Sequence, residues 1–213
     1  MKLESLTVQK VVTTSLCLLV LGAAQVSAKD REDSKSGRAG NWKSNAQGSP
    51  EVAECRKKVE ADPKNAEAQN DLGWALRQNG DAKGAELALR TSISLNDKLA
   101  YSHSNLSVVL LDRGASGEAL QEAKTAIALD SKKPIYHVVC GNATLATGDS
   151  KGAIVEYKTA IAEQNDYENA YFNLARALSK DGQAVEAKVA LSQAMQLDPE
   201  DTRAVKLFDE IAK

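Results

Sequence analysis

Apolar residues return along this chain at a fixed interval. Leu72, Leu106, Cys140 and Leu174 stand 34 residues apart, as do Ile93, Ile127, Ile161 and Met195. Two ladders of small residues keep the same step: Ala85, Ala119, Ala153 and Ala187, then Ser92, Ala126, Ala160 and Ala194. Within one unit, Ala85, Leu89, Ser92, Ile93 and Asn96 fall three and four apart, the spacing of a buried stripe on an α-helix. Glycine divides each unit, at Gly80, Gly114, Gly148 and Gly182. In the first unit the pattern predicts helices over about 66–79 and 82–96, with Gly80 in the left-handed conformation that closes a helix without side-chain cost. Asp81 and Asp149 follow two of these glycines, where they can cap the second helix. Five ladders sharing one spacing without an insertion predict an all-α chain of helix pairs. The pairs must stack, because one pair cannot cover its own apolar face.

A period of 34 belongs to a helix–turn–helix repeat, and the chain resembles the tetratricopeptide repeat family in four units, 66–99, 100–133, 134–167 and 168–201. The first unit carries Leu72-Gly73, Leu76, Ala85 and Leu89; the third carries Cys140-Gly141, Ala153 and Tyr157. The fourth carries Tyr171, Leu174, Ala187, Leu191, Ala194 and Pro199. There are departures. The large aromatic near each unit's start is replaced by Gln69, His103 and His137 before Tyr171 restores it. Ser107 and Ala175 stand for the small residue after the leucine, and the closing proline, present as Pro63 and Pro199, gives way to Asp97, Ser131 and Asn165. The resemblance covers about two-thirds of the chain and implies an α-solenoid of antiparallel helix pairs, winding as a right-handed superhelix. It leaves function open, because repeat scaffolds host many roles.

The flanks complete the stack. Ser49-Pro50-Glu51 supplies the cap, first-turn proline and acid of a helix start. The helix runs through Val52, Cys55 and Val59 to about Ala61, where Asp62-Pro63 ends it. Val59 lies 34 residues before Ile93, so 50–62 is in register with the second helices and reads as a half-repeat cap. Residues 202–213 read as a closing cap, with Val205 and Phe208 covering the last interface while Lys206, Asp209, Glu210 and Lys213 face water. Ahead of the repeats, 29–49 is polar, with Trp42 as its one aromatic. It has too little apolar surface to offset its ordering entropy, which predicts a disordered linker. Residues 11–24 form an apolar run behind Lys2 and Lys10, and Val26-Ser27-Ala28 offers small residues for cleavage, so 1–28 is read as a signal peptide cut after Ala28. The run is short of the about 20 residues of a membrane span; an uncleaved anchor is the alternative. Cys17 follows Leu16 inside the run, which argues against a lipoprotein signal.

Charge and cysteines narrow the class. A net charge of −2 over 213 residues gives no electrostatic case for nucleic acid. Loss of the signal removes Lys2, Lys10 and Glu4, leaving 25 basic against 28 acidic residues, or −3. Export would place the remaining Cys55 and Cys140 in an oxidising space. Yet 85 residues of solenoid separate them, far past the about 7 Å that a disulfide bridges. Cys140 takes a core leucine's place and reads as an inert thiol, which leaves Cys55 as the more reactive one.

No catalytic constellation emerges. Gly80-Asp81-Ala82-Lys83-Gly84 is turn chemistry rather than a phosphate loop, since no strand precedes it. His103 and His137 are 34 residues apart, and helices stacked about 8–10 Å apart hold them too widely to share one ion. Asn105-Leu106-Ser107 and Asn142-Ala143-Thr144 match the glycosylation pattern but fall inside first helices, where a glycan collides with packing. The expectation is therefore no enzyme, no cofactor and no metal.

The resemblance implies instead a concave groove lined by the first helix of each unit. The corresponding positions are Glu67, Asn70, Asp71, Trp74, Arg77 and Gln78 in the first unit and Tyr101, Ser104, Asn105, Val108, Leu111 and Asp112 in the second. They are Ile135, Val138, Val139, Asn142, Leu145 and Ala146 in the third, and Asn169, Phe172, Asn173, Arg176, Ser179 and Lys180 in the fourth. The residues expected to hold a partner are Trp74, Tyr101, Asn105, Val108, Leu111, Ile135, Val138, Asn142, Leu145, Phe172, Asn173 and Arg176. Their apolar members would form an exposed floor, and such patches mark interaction sites. The cationic clamp by which some chaperone-binding members hold a peptide's terminal carboxylate falls here on Asn70, Trp74, Asn105, Ile135 and Val139, without the cations. The expected function is a non-catalytic scaffold or adaptor, exported to the periplasm or secreted. It would hold a protein or peptide in its groove, with no nucleic-acid partner and no membrane contact after signal cleavage. The alternatives are a homo-oligomer whose groove is its own interface, and a docking subunit of an envelope assembly such as a pilus or secretion machine.

Overall fold

The computed structural model describes residues 49–211, which belong to one compact unit. The expected signal peptide, the expected linker up to 48 and the last two residues of the expected closing cap lie outside the described residues. The described residues form ten helices and no strand: α1 (Pro50–Ala61), α2 (Ala66–Gln78), α3 (Ala82–Leu95), α4 (Ala100–Asp112), α5 (Ser116–Leu129), α6 (Pro134–Ala146), α7 (Ser150–Glu163), α8 (Glu168–Lys180), α9 (Ala184–Leu197) and α10 (Thr202–Ile211).

The turns inside each hairpin follow the glycine ladder. Gly80, Gly114, Gly148 and Gly182 have φ of 83°, 78°, 97° and 80°. The amides of each glycine and its successor fold back on the ending helix, as in Gly80 N–H to the Arg77 carbonyl at 3.0 Å and Asp81 N–H to that of Leu76 at 2.9 Å. Asp81 and Asp149 then cap α3 and α7, each Oδ1 accepting the amide of Gly84 or Gly152 at 2.8 Å. The turns between hairpins use a ladder that sequence reasoning missed. The side chains of Asp62, Asn96, Asp130 and Asp198, all in phase, each accept the amide two residues on at 3.1–3.2 Å. Asn96 is thus an exposed linker residue and not part of the buried stripe, because the helix has ended at Leu95.

Packing within a hairpin is close. A Cβ added at Gly73 would lie 2.6 Å from Leu89 Cγ, and one at Gly141 would lie 2.5 Å from the Tyr157 ring. The alanine ladder at 85, 119, 153 and 187 is 0% exposed throughout. Each helix packs on its chain neighbours. In addition the backbones of α2, α4, α6, α8 and α10 approach one another in succession, whereas no two odd-numbered helices come as close; α3 and α5 meet through the long side chains of Arg90 and Glu118 at 2.9 Å. The even helices therefore make a continuous inner layer and the odd ones splay outward, which is how a stack of helix pairs curves.

Two details correct expectation. Val205 is 43% exposed; α10 docks through Ala204, Leu207, Phe208 and Ile211. The histidines do more than fill an aromatic's place. His103 Nδ1 meets Glu122 at 2.7 Å and its Nε2 meets the Asp97 carbonyl at 3.0 Å. His137 makes the same bridge to Glu156 and Ser131 at 2.8 and 3.1 Å, so each ring ties both helices of its own hairpin to the incoming linker.

Two glycine substitutions separate strain from crowding. Gly148→Val has open space around it and should cost about 1–2 kcal/mol from left-handed strain alone. Gly141→Ala should cost about 1–3 kcal/mol by driving into the buried Tyr157 ring. Urea melts check both, and Tyr157→Leu should relieve only the second.

Candidate binding groove

The even helices present their free face on the inner side, and two hollows open there. The first, of about 380 Å³, lies along α2 and α4 and is lined by Asn70, Asp71, Trp74, Gln78 and Asn105, with Cys55 from α1. The second, of about 490 Å³, spans α2 to α8. Its floor is Val108, Leu111 and Ala146, with the nearly buried Leu145 adding little surface, and its rim is Arg77, Asp112, Asn142, Arg176 and Lys180.

Cross-helix bonds fix the wall between α2 and α4. Asn105 donates to Asn70 Oδ1 at 2.9 Å, and Arg77 pairs with Asp112 at 2.6 Å while its guanidinium sits 4.9 Å over the Trp74 ring. The Tyr101 hydroxyl bonds Glu67; burial, then the carboxylates of Glu67 and Asp71, push that phenol up from its ordinary value. Further along, Asn142 is held from below by the Tyr157 hydroxyl, which donates to its Oδ1 at 2.8 Å. Burial raises the Tyr157 phenol well above the ordinary range, so the donor stays protonated. Among the described residues neither Arg176 nor Lys180 is paired with a carboxylate.

Among the described residues both cysteines, Cys55 and Cys140, are free. Burial pushes the Cys140 thiol up to about 11, so almost none is thiolate. Cys55 is also raised, by burial first and then by Asp71, with Glu54 and Glu51 adding to it and Lys58 opposing.

The last interface sets a polar cluster beside the apolar contacts of α10. Arg203 of α10 stacks 4.7 Å over Phe172, bonds Asp201 at 2.9–3.1 Å and reaches Asn169 and Glu168 at 3.4 and 3.5 Å. Burial, and then the hydrogen-bonded carboxyl of Asp201, push Glu168 up to about 7 against the pull of Arg203. Asp201, although burial disfavours its charge, is held below its ordinary value by the hydrogen bonds of Arg203.

Family models for the tetratricopeptide repeat match residues 66–99 and 144–208. The chain is a tetratricopeptide repeat protein. Solved structures of such repeats share its fold. TTC0263, a thermophilic TPR protein in Thermus thermophilus, matches with a TM-score of 0.66 and 19% identity, over 76% of this chain and 88% of that one. MamA matches at 0.61 and 21%, over 71% and 89%. YrrB, a TPR protein with an unusual peptide-binding site, matches at 0.61 and 17%, over 73% and 80%. No curated protein matches the sequence.

Within this repeat protein the expected groove residues divide. Trp74 and Asn105 line the first hollow; Val108, Leu111, Asn142 and Arg176 line the second. Tyr101 is half-buried beside them, and Ile135 is 43% exposed. Val138, Leu145 and Asn173 are 4%, 5% and 8% exposed, so they are wall rather than contact surface. Val138 and Leu145 join the core cluster of α6–α10, and Asn173 spends its amide on the Asn169 carbonyl and Arg176. Phe172 is half-buried and roofed by Arg203. Cys55 and Arg203 were missed because they come from the flanking caps, outside the first helices that the family pattern names.

The Glu168 cluster makes stability depend on pH. The folded protein holds a proton up to about 7 that the unfolded chain releases near 4.5, so this stabilisation is complete below 4.5 and lost as pH rises through 7. Asp201 acts in the opposite sense, but only below its ordinary 3.8. The melting temperature should therefore fall as the pH rises across the Glu168 window, and Glu168→Gln should flatten that fall.

Proposed function

We propose that this repeat protein is an exported, non-catalytic scaffold that holds a peptide or protein segment in the groove formed by α2, α4, α6 and α8. Tetratricopeptide repeats generally serve as non-catalytic platforms for protein contacts. The observation that carries the reading is the pair of open hollows, where an apolar floor of Val108 and Leu111 lies within reach of polar groups already fixed in place. Apolar floor with a few oriented polar groups is the composition of a recognition surface. The peptide-binding site of YrrB supports the same use of this fold. Export rests on the apolar run at 11–24 and the small residues before Lys29.

The test uses a floor residue that is accessible. Val108→Glu places a carboxylate on the hollow's floor and should cut capture of envelope proteins by the mature chain about tenfold or more, with helicity and melting unchanged. Identical capture by both proteins would exclude the groove. Sedimentation of residues 29–213 should show a monomer; a dimer that persists on dilution would assign the groove to self-association instead.

A further inference from the structure

The two hollows carry opposite charge. Asp71 is the one charged residue lining the first, with Glu67 a turn away along α2, and the charges felt at Cys55 on its edge are Asp71, Glu54 and Glu51 against Lys58 alone. The second hollow holds Arg77, Arg176 and Lys180 against Asp112 alone. Since Arg77 and Asp112 neutralise one another, Arg176 and Lys180 remain as net positive charge. Asn142 adds to that sense. Its carbonyl oxygen already accepts from the Tyr157 hydroxyl, whereas both N–H donors of its amide are without a partner among the described residues. One end of the groove thus offers acceptors and the other offers donors, with Trp74, Val108 and Leu111 around the boundary.

Resting on the groove reading above, we propose that the occupant is a charge-ordered peptide segment. Its basic residue sits over Asp71, a bulky apolar residue lies on Val108 and Leu111, and its carboxylate meets Arg176, Lys180 and the Asn142 amide. Charge placed this way fixes the direction in which the segment lies, because the reversed segment sets like charge against like at both ends.

The probe is a displayed library of random peptides selected on the mature chain, with enriched peptides then labelled and titrated by fluorescence anisotropy. The enriched set should place a basic residue, an apolar residue and an acidic residue in one order. Replacing the acidic residue by lysine should weaken binding about tenfold, and the double variant Arg176→Glu, Lys180→Glu should restore it. Arg176 and Lys180 are both exposed, so the double variant should keep the wild-type melting curve. Enriched peptides without a charge order, or a lysine-swapped peptide that binds both proteins equally, would overturn this proposal. The groove would still stand if Val108→Glu abolished their binding. Peptides indifferent to Val108→Glu, or a library yielding no binder, would remove the groove reading and the charge order with it.

Discussion

The hairpins depend on close approach of their two helices, which in the first and third leaves no room for a side chain between them. At Gly73 and Gly141 the partner helix supplies Leu89 and Tyr157, and a single added methyl group would overlap either one. The alanines at 85, 119, 153 and 187 continue the same close contact along each second helix, without any exposure to water. Dense packing of this kind has little give, so the angle within a hairpin is fixed. Since backbones approach in succession only along the inner layer, curvature follows from repeating that fixed hairpin. The groove is a consequence of the contact rather than an addition to it.

The units nevertheless share one hairpin with different chemistry at the joints. Across α2 and α4 the inner wall is tied by Asn105 to Asn70 and by Arg77 to Asp112, and across α8 and α10 by Arg203 to Asn169 and Glu168. The middle of the wall has Val138, Val139 and Leu145 in its core instead. Such polar bonds, most of them between partly buried groups, contribute modest net stability but hold geometry. The ends of the inner wall are therefore fixed by direction and the middle by burial.

Much of this was legible in the residues. A spacing of 34 without insertion gave hairpin number, turn glycines and the Asp81 and Asp149 caps, because each is a local demand repeated in phase. The histidine bridges were legible too, in retrospect. His103 and His137 have Glu122 and Glu156 nineteen residues on, whereas Gln69 and Tyr171 have Ala88 and Ala190 there. Depth was not legible. Periodicity says which face a residue occupies, but Val138 and Leu145 are buried in a cluster that draws residues of α8, α9 and α10 from beyond their own unit. Phe172 and Cys55 took their surroundings from the caps, which follow no repeat pattern that could have announced them.

That division bears on what the groove can recognise. If the whole apolar stripe of the third unit had been exposed, the inner wall would favour any greasy segment, and polar rim residues would add little. With Val138 and Leu145 packed away, the accessible apolar floor shrinks to Val108, Leu111 and the Trp74 ring, and that ring carries Arg77 on its face. A small apolar area contributes modest affinity and almost no discrimination. Discrimination then passes to the oriented groups around it: the Asn142 amide held by Tyr157, the Asn70–Asn105 pair, and the unpaired cations of α8. The burial that removed three residues from the contact surface thereby moves specificity from the floor to the rim.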